Sequence, residues 1–210
     1  MSLTTPRRDR LGHAPDESET ALLLIDVINP IDFNGGDSLL RHALPMARAL
    51  ARLKRRAKSA GVPVIYVNDN FGRWRSDFPK IVQYCLQPEV RGKPVVEQLP
   101  PEEDDYFVLK PKHSAFFQTN LEILLENLGA NTLIMTGMAG DICVVFSAND
   151  AYMRDYRIIV PLDCTASEDP EHNLQVLKLM QRVLKAEIPS STEIRFEGTK
   201  VESPKDDLSQ

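Results

Sequence analysis

The sequence predicts an α/β fold: one doubly wound sandwich with a mostly parallel sheet of five to six strands and helices on both faces. Three observations predict it. Uninterrupted apolar runs such as Ala21-Leu22-Leu23-Leu24-Ile25 and Leu133-Ile134-Met135 lack polar alternation, as strands buried on both faces do. Helix-period segments alternate with such runs five times, the pattern of a parallel sheet with crossover helices. Finally, glycines such as Gly61 and Gly129 stand where helix patterns stop and the next apolar run is about to begin.

In order, residues 1–19 read as a polar, solvated arm with Arg7, Arg8 and Arg10, and no apolar core of a signal peptide. The first strand, residues 21–25, runs into Asp26. A loop with Pro30 and two glycines leads to a helix capped by Asp37 or Ser38. Pro45 is expected to kink or restart that helix, which continues to Ala60. Its basic end, residues 52–58, suits the helix dipole. Val64-Ile65-Tyr66-Val67 is the second strand, followed by the loop NDNFGRWRSDFP and a short helix over 80–86. Residues 87–105 are Pro-rich and acidic, with a brief element at Val95-Val96-Glu97. The third strand, 106–109, ends at Lys110, where Pro111 blocks simple continuation. A helix over 119–128 precedes the strand at 133–135, a turn from Gly137 to Asp141, and a helix over 142–154. The fifth strand is 157–161, the last long helix 170–186, and a weak sixth strand 192–196. The domain is thus expected over 20–198, with a mobile polar tail at 199–210.

With 210 residues, 42% hydrophobic and 26% charged, the chain suits one large globular domain. Its net charge of −5 gives a nucleic-acid partner no electrostatic footprint, and no apolar run approaches the roughly 20 residues that span a membrane. Cys85, Cys143 and Cys164 are irregularly spaced, which suits a reducing cytoplasm better than a disulfide framework or a zinc site. Leucine-rich amphipathic helices suggest a homo-oligomer.

Ligands of such sheets bind past the carboxyl ends of the strands. Three chemically capable residues stand at those ends: Asp26, Lys110 and Cys143. Cys143 falls in the first turn of a helix, where unpaired N–H groups and the dipole favour a thiolate, so its pKa is expected below the free value of about 8.5. Asp26 can take the thiol proton and Lys110 can hold the thiolate, a set that allows acyl transfer through a thioester. Taken singly each has a plainer reading: Cys143 as helix–sheet packing, Asp26 as a loop cap, Lys110 as a solvated end.

ALLLIDVIN with Asp32-Phe33, KPKHSAF and TGMAGDICV follow one another in this order along the chain. On these motifs the chain resembles the isochorismatase-like cysteine hydrolases over residues 20–170: the first resembles the family's first strand and aspartate, the second its lysine motif and the third its nucleophile motif. The resemblance implies Asp26, Lys110 and Cys143 as catalytic residues. It also implies a cis Met138–Ala139 bond, with the Ala139 and Cys143 N–H groups as the oxyanion site. Nicotinamidases of this family hold a metal with an Asp and two His after the second strand. Here NDNFGRWRSDF contains no histidine, so neither metal nor other cofactor is expected, and Asp69 is left to bind substrate or cap a turn. Ile28 replaces the family's glutamine. Phe33, Trp74 and Phe116 can wall a pocket for a small-molecule substrate, Phe116 equally being core. His113 reads as packing or hydrogen bonding, Cys164 as structural and Cys85 as packing. A retained cysteine favours a C–N bond of a small amide or carbamoyl-type substrate; the alternatives are an isochorismate-type vinyl ether, or a silent binding protein of the same fold.

Overall fold

The computed structural model describes residues 16–72 and 77–203. The chain runs β1 (Thr20–Ile25), α1 (Gly36–Ser59), β2 (Val64–Asp69), α2 (Phe78–Cys85), α3 (Lys93–Val96) and β3 (Tyr106–Lys110). Next come α4 (Leu121–Leu128), β4 (Thr132–Met138), a π-helical turn (Gly140–Val144), α5 (Val145–Tyr152), β5 (Arg157–Ile159) and β6 (Thr165–Ala166). It ends with α6 (Pro170–Leu184), a 3₁₀ turn (Ser191–Glu193), β7 (Arg195–Glu197) and β8 (Lys200–Glu202).

The main sheet is α/β in the expected sense, parallel throughout in the order β3-β2-β1-β4-β5, with β6 also paired to β4. Strand order reverses at β1: the chain steps outward to β2 and β3, then returns to the other side of β1 as β4. That reversal opens a crevice at the carboxyl ends of β1 and β4. Each residue of β1 is buried because alternate side chains feed opposite layers. Leu22 and Leu24 join Tyr66 and Ile134 under Met46, Leu50 and Leu53 of α1. Leu23 and Ile25 join Ile65 and Met135 under Leu125 of α4 and Met180 of α6. At roughly 1.5–3 kcal/mol per buried apolar side chain, these layers supply most of the drive to fold. Gly137 has φ 113°, and a Cβ there would stand 2.0 Å from the Ile25 carbonyl, so β4 can approach β1 this closely only with glycine.

Three expectations are corrected. α1 does not restart at Pro45; it runs continuously through it. Ala43, Met46, Ala47 and Leu50 on either side of the proline are buried, and that packing outweighs the roughly 3 kcal/mol a helical proline costs. The weak sixth strand does not join the main sheet, and the polar tail does not begin at 199. β7 and β8 form a separate antiparallel ribbon, with Val201 buried and its carbonyl accepting from Arg157 Nη1 at 2.9 Å. The sixth main-sheet strand is β6 instead. Most of the arm at 1–19 and the tail at 204–210 lies outside the described residues. Among the described residues no helix is long and apolar enough to cross a membrane.

The basic end of α1 does more than suit a dipole. Lys54, 4% exposed, pairs with Asp105 at 2.6 Å and donates to Tyr66 Oη and the Pro100 carbonyl; Lys58 also holds Asp105 at 3.0 Å. This network ties α1 to the segment that enters β3, and so to Lys110 at its far end. Lys54→Met should cost about 3 kcal/mol of unfolding free energy, the low end for breaking a buried pair because Lys58 still holds Asp105. Urea denaturation checks it; a loss under 1 kcal/mol would show that the network does not anchor α1.

Candidate active site

Asp26 is the first residue after β1 and takes φ 52°, a left-handed conformation uncommon for a side-chain-bearing residue. Its N–H donates to the Val67 carbonyl at 2.9 Å, and its Oδ1 accepts from the Asp69 N–H at 2.7 Å. The carboxylate is thus fixed by the backbone of neighbouring β2. Lys110, the last residue of β3, is completely buried. Its Nζ lies 2.8 Å from Asp26 Oδ2, 3.7 Å from Asp69 Oδ2 and 3.5 Å from Cys143 Sγ, and donates to the Lys112 carbonyl at 3.2 Å. Asp69 also caps its own turn, Oδ1 accepting from the Phe71 N–H at 2.6 Å. Strand ends separated by 84 and 33 residues of sequence therefore meet at one ammonium group.

Cys143 is reached differently from the expected helix start. The Met138–Ala139 peptide is cis. After it the Ala139 carbonyl accepts from both the Ile142 N–H at 3.1 Å and the Val144 N–H at 3.2 Å, making a π-helical turn before α5. Such turns recur at functional sites because they displace one residue from the helical ladder. Here Cys143 is in the turn. Its position is locked from two sides. Ser147 Oγ donates to the Cys143 carbonyl at 2.7 Å and accepts from the Ala115 N–H at 2.9 Å, joining α5 to the turn after Lys110. The Asp141 N–H donates to Ser167 Oγ at 3.2 Å, which donates to Asn173 Oδ1 at 3.0 Å.

The electrostatics correct one expectation. Burial, and then the charge of Asp26, push the Cys143 thiol up to about 12 against the pull of Lys110. The helix-terminal dipole is worth typically 0.3–1 kcal/mol and cannot outweigh a desolvated thiol beside a carboxylate. Burial likewise raises the Asp26 carboxyl above its ordinary 3.8, with Lys110 only partly opposing it. For Lys110, burial alone draws the ammonium down, but Asp26, Cys143 and Asp69 hold it above its ordinary value. The resting site is a buried ion pair with a protonated thiol at its mouth.

Other predicted site residues are spread more widely. Phe33 is 41% exposed on the β1–α1 loop. Phe116 is a correction: it is 4% exposed, its ring 5.9 Å from Tyr156 and under the Arg154 guanidinium, so it belongs to the core beneath α5. The cause is local, since Ala115 is tied to Ser147 and the next side chain turns inward. Trp74 lies outside the described residues. Ile28 is fully buried, and Asn68 takes the polar pairing there, Nδ2 donating to the Ile28 carbonyl at 2.5 Å. His113, read from sequence as packing or hydrogen bonding, stands 3.8 Å from Cys143 Sγ through Nδ1. Its spacing of three from Lys110 was the available signal. Among the described residues no three or more His, Cys, Asp or Glu gather as a metal site.

The family profile described as Isochorismatase domain matches residues 20–193. The "Uncharacterized isochorismatase family protein YaaI" of Bacillus subtilis (strain 168) is 42% identical over 178 residues, 85% of this chain and 97% of that protein. "Ureidoacrylate amidohydrolase RutB" of Serratia proteamaculans (strain 568) is 29% identical over 197 residues, covering 81% of this chain and 79% of its own. Among solved structures, N-carbamoylsarcosine amidase of Thermoplasma acidophilum superposes with a TM-score of 0.64 at 29% identity, covering 84% of this chain and 99% of that one.

Proposed function

Because the chain belongs to the isochorismatase family, we propose that it is a cysteine hydrolase cleaving the C–N bond of a small amide or carbamoyl-type substrate through a thioester on Cys143. The observation that carries the reading is Lys110 Nζ, wholly buried, within 2.8 Å of Asp26 and 3.5 Å of Cys143 Sγ. A buried ammonium bridging a carboxylate and a thiol is costly to build for packing alone. The two relatives above with named activities are an amidohydrolase and an amidase, which supports the bond class.

In this mechanism Asp26 takes the Cys143 proton as sulfur attacks the carbonyl carbon. Its raised pKa makes it a stronger base than an ordinary carboxylate, which narrows the gap to the thiol. The Ala139 and Cys143 N–H groups hold the developing oxyanion. Asp26 then gives the proton to the leaving nitrogen, the C–N bond breaks, and the thioester remains. Asp26 next takes a proton from water, whose oxygen attacks the thioester; the acid leaves and the thiol is restored. Lys110 stays charged throughout and holds Asp26 in place. Phe33 and Asp69 are proposed to contact substrate. A screen of small amides, carbamoyl compounds and isochorismate tests the assignment. Release of ammonia or amine is expected; cleavage of isochorismate alone would move the function to the vinyl ether, and no turnover of any class would favour the silent binder.

Asp69, at the end of β2, stands beside Lys110, and the loop that follows has no histidine in its sequence, a donor set poor for zinc or iron. Turnover should therefore survive exhaustive chelation, with no stoichiometric metal in purified protein by elemental analysis. Activity that vanishes with chelator and returns with metal would overturn this.

A further inference from the structure

Cys143 has a second neighbour that the mechanism above leaves idle. His113 Nδ1 lies 3.8 Å from Cys143 Sγ, and its ring meets Phe146 of α5 at 5.5 Å between centroids, tilted by 55°. The turn that presents it begins at Lys110, whose Nζ donates to the Lys112 carbonyl, so one short segment sets both ammonium and imidazole. The two sides of the sulfur differ sharply. Lys110 and Asp26 are buried, at 0% and 3% exposure, whereas His113 is exposed to solvent. The imidazole is thus the neighbour of the sulfur that stands open to solvent, while the carboxylate is enclosed.

We propose that His113 is a catalytic residue on the solvent side of Cys143, its neutral imidazole accepting the thiol proton at Nδ1 as a second route to the thiolate. This rests on Cys143 being the nucleophile. The S–H bond breaks and an Nδ1–H bond forms, giving thiolate and imidazolium with no net change of charge. When sulfur bonds the carbonyl carbon and the C–N bond breaks, the imidazolium proton passes to the departing nitrogen and neutral imidazole returns. The groups that act on His113 are Cys143 itself, Lys112 beside it in the chain, and Lys110, Asp26 and Asp69 beyond the sulfur. From α5 come uncharged Phe146 and Asp150, the latter held by Ser114.

The test needs no substrate, so it stands apart from the amidase assignment. The alkylation rate of Cys143 by iodoacetamide is measured from pH 5 to 10 by peptide mass, which separates it from the fully buried Cys85 and Cys164. Wild type should show a step in rate within this range, separate from ionisation of the buried thiol, which lies above it. His113→Phe keeps a ring for Phe146 and should lose the step; His113→Gln, polar but without a titration in this range, should lose it too. Retention of the step in both His113 variants, its absence from wild type, or no alkylation of Cys143 at any pH would each overturn the proposal. An intact step in a protein without amidase turnover would refute the amide assignment and leave the His113–Cys143 pair standing.

Discussion

Cys143→Ala should lose turnover by a factor on the order of 10⁴–10⁶, since removing a covalent nucleophile leaves only binding and the oxyanion site. The same change should cost less than about 1 kcal/mol of stability. Only the sulfur is removed, from a residue 9% exposed, and the Asp26–Lys110 pair keeps its 2.8 Å contact. The main-chain restraints on the turn, Ser147 on the Cys143 carbonyl and Ser167 on the Asp141 N–H, do not involve the thiol. Turnover and thermal unfolding measured on one preparation separate the two effects. A fall in both together would mean that the thiol is a packing group after all.

The second large effect falls on the ion pair. Asp26→Asn should lower turnover by roughly 10²–10⁴, the usual contribution of a positioned acid–base group. It should also remove the contribution of Asp26 to the acid limb of the kcat/KM profile. Turnover needs Asp26 as carboxylate, so the rate falls as pH drops through its pKa; burial raises that pKa, and the limb should lie above 3.8. Near isostery does not spare stability, because Lys110 stays wholly buried and its remaining carboxylate among the described residues, Asp69, is 3.7 Å away. A loss of about 3 kcal/mol is expected, the low end for orphaning a buried charge. Lys110→Met orphans Asp26 instead and should be as costly to turnover. A variant at either position with wild-type rate and an unchanged acid limb would remove Asp26 as the base.

Much of this was readable in the residues. Unbroken apolar runs announce strands buried on both faces, and a parallel sheet carries whatever follows each strand to a single edge. Asp26, Lys110 and Cys143 were placed there by that logic alone. What escaped depends on contacts across the sheet. The expected drop in the thiol pKa weighed the helix end and Lys110; the opposing charge comes from Asp26, adjacent only once β4 has paired with β1. Helical periodicity cannot distinguish the Val144-to-Ala139 bond of a π turn from an ordinary helix start. His113 and Phe116 share one turn, yet one faces the sulfur and the other the core, a division set by the Ala115–Ser147 bond. Pro45 misled for the opposite reason: local propensity is weak beside a continuous buried face.

The central claim is a covalent acyl-enzyme on Cys143, and intact mass spectrometry tests it most directly. Protein mixed with a hydrolysable small amide and quenched with acid during turnover should carry the mass of the acyl group. Proteolysis should place that mass on the peptide containing Cys143, and Cys143→Ala should show neither the adduct nor product. Wild-type protein that consumes the amide without any adduct, together with Cys143→Ala turning over at near wild-type rate, would contradict the account.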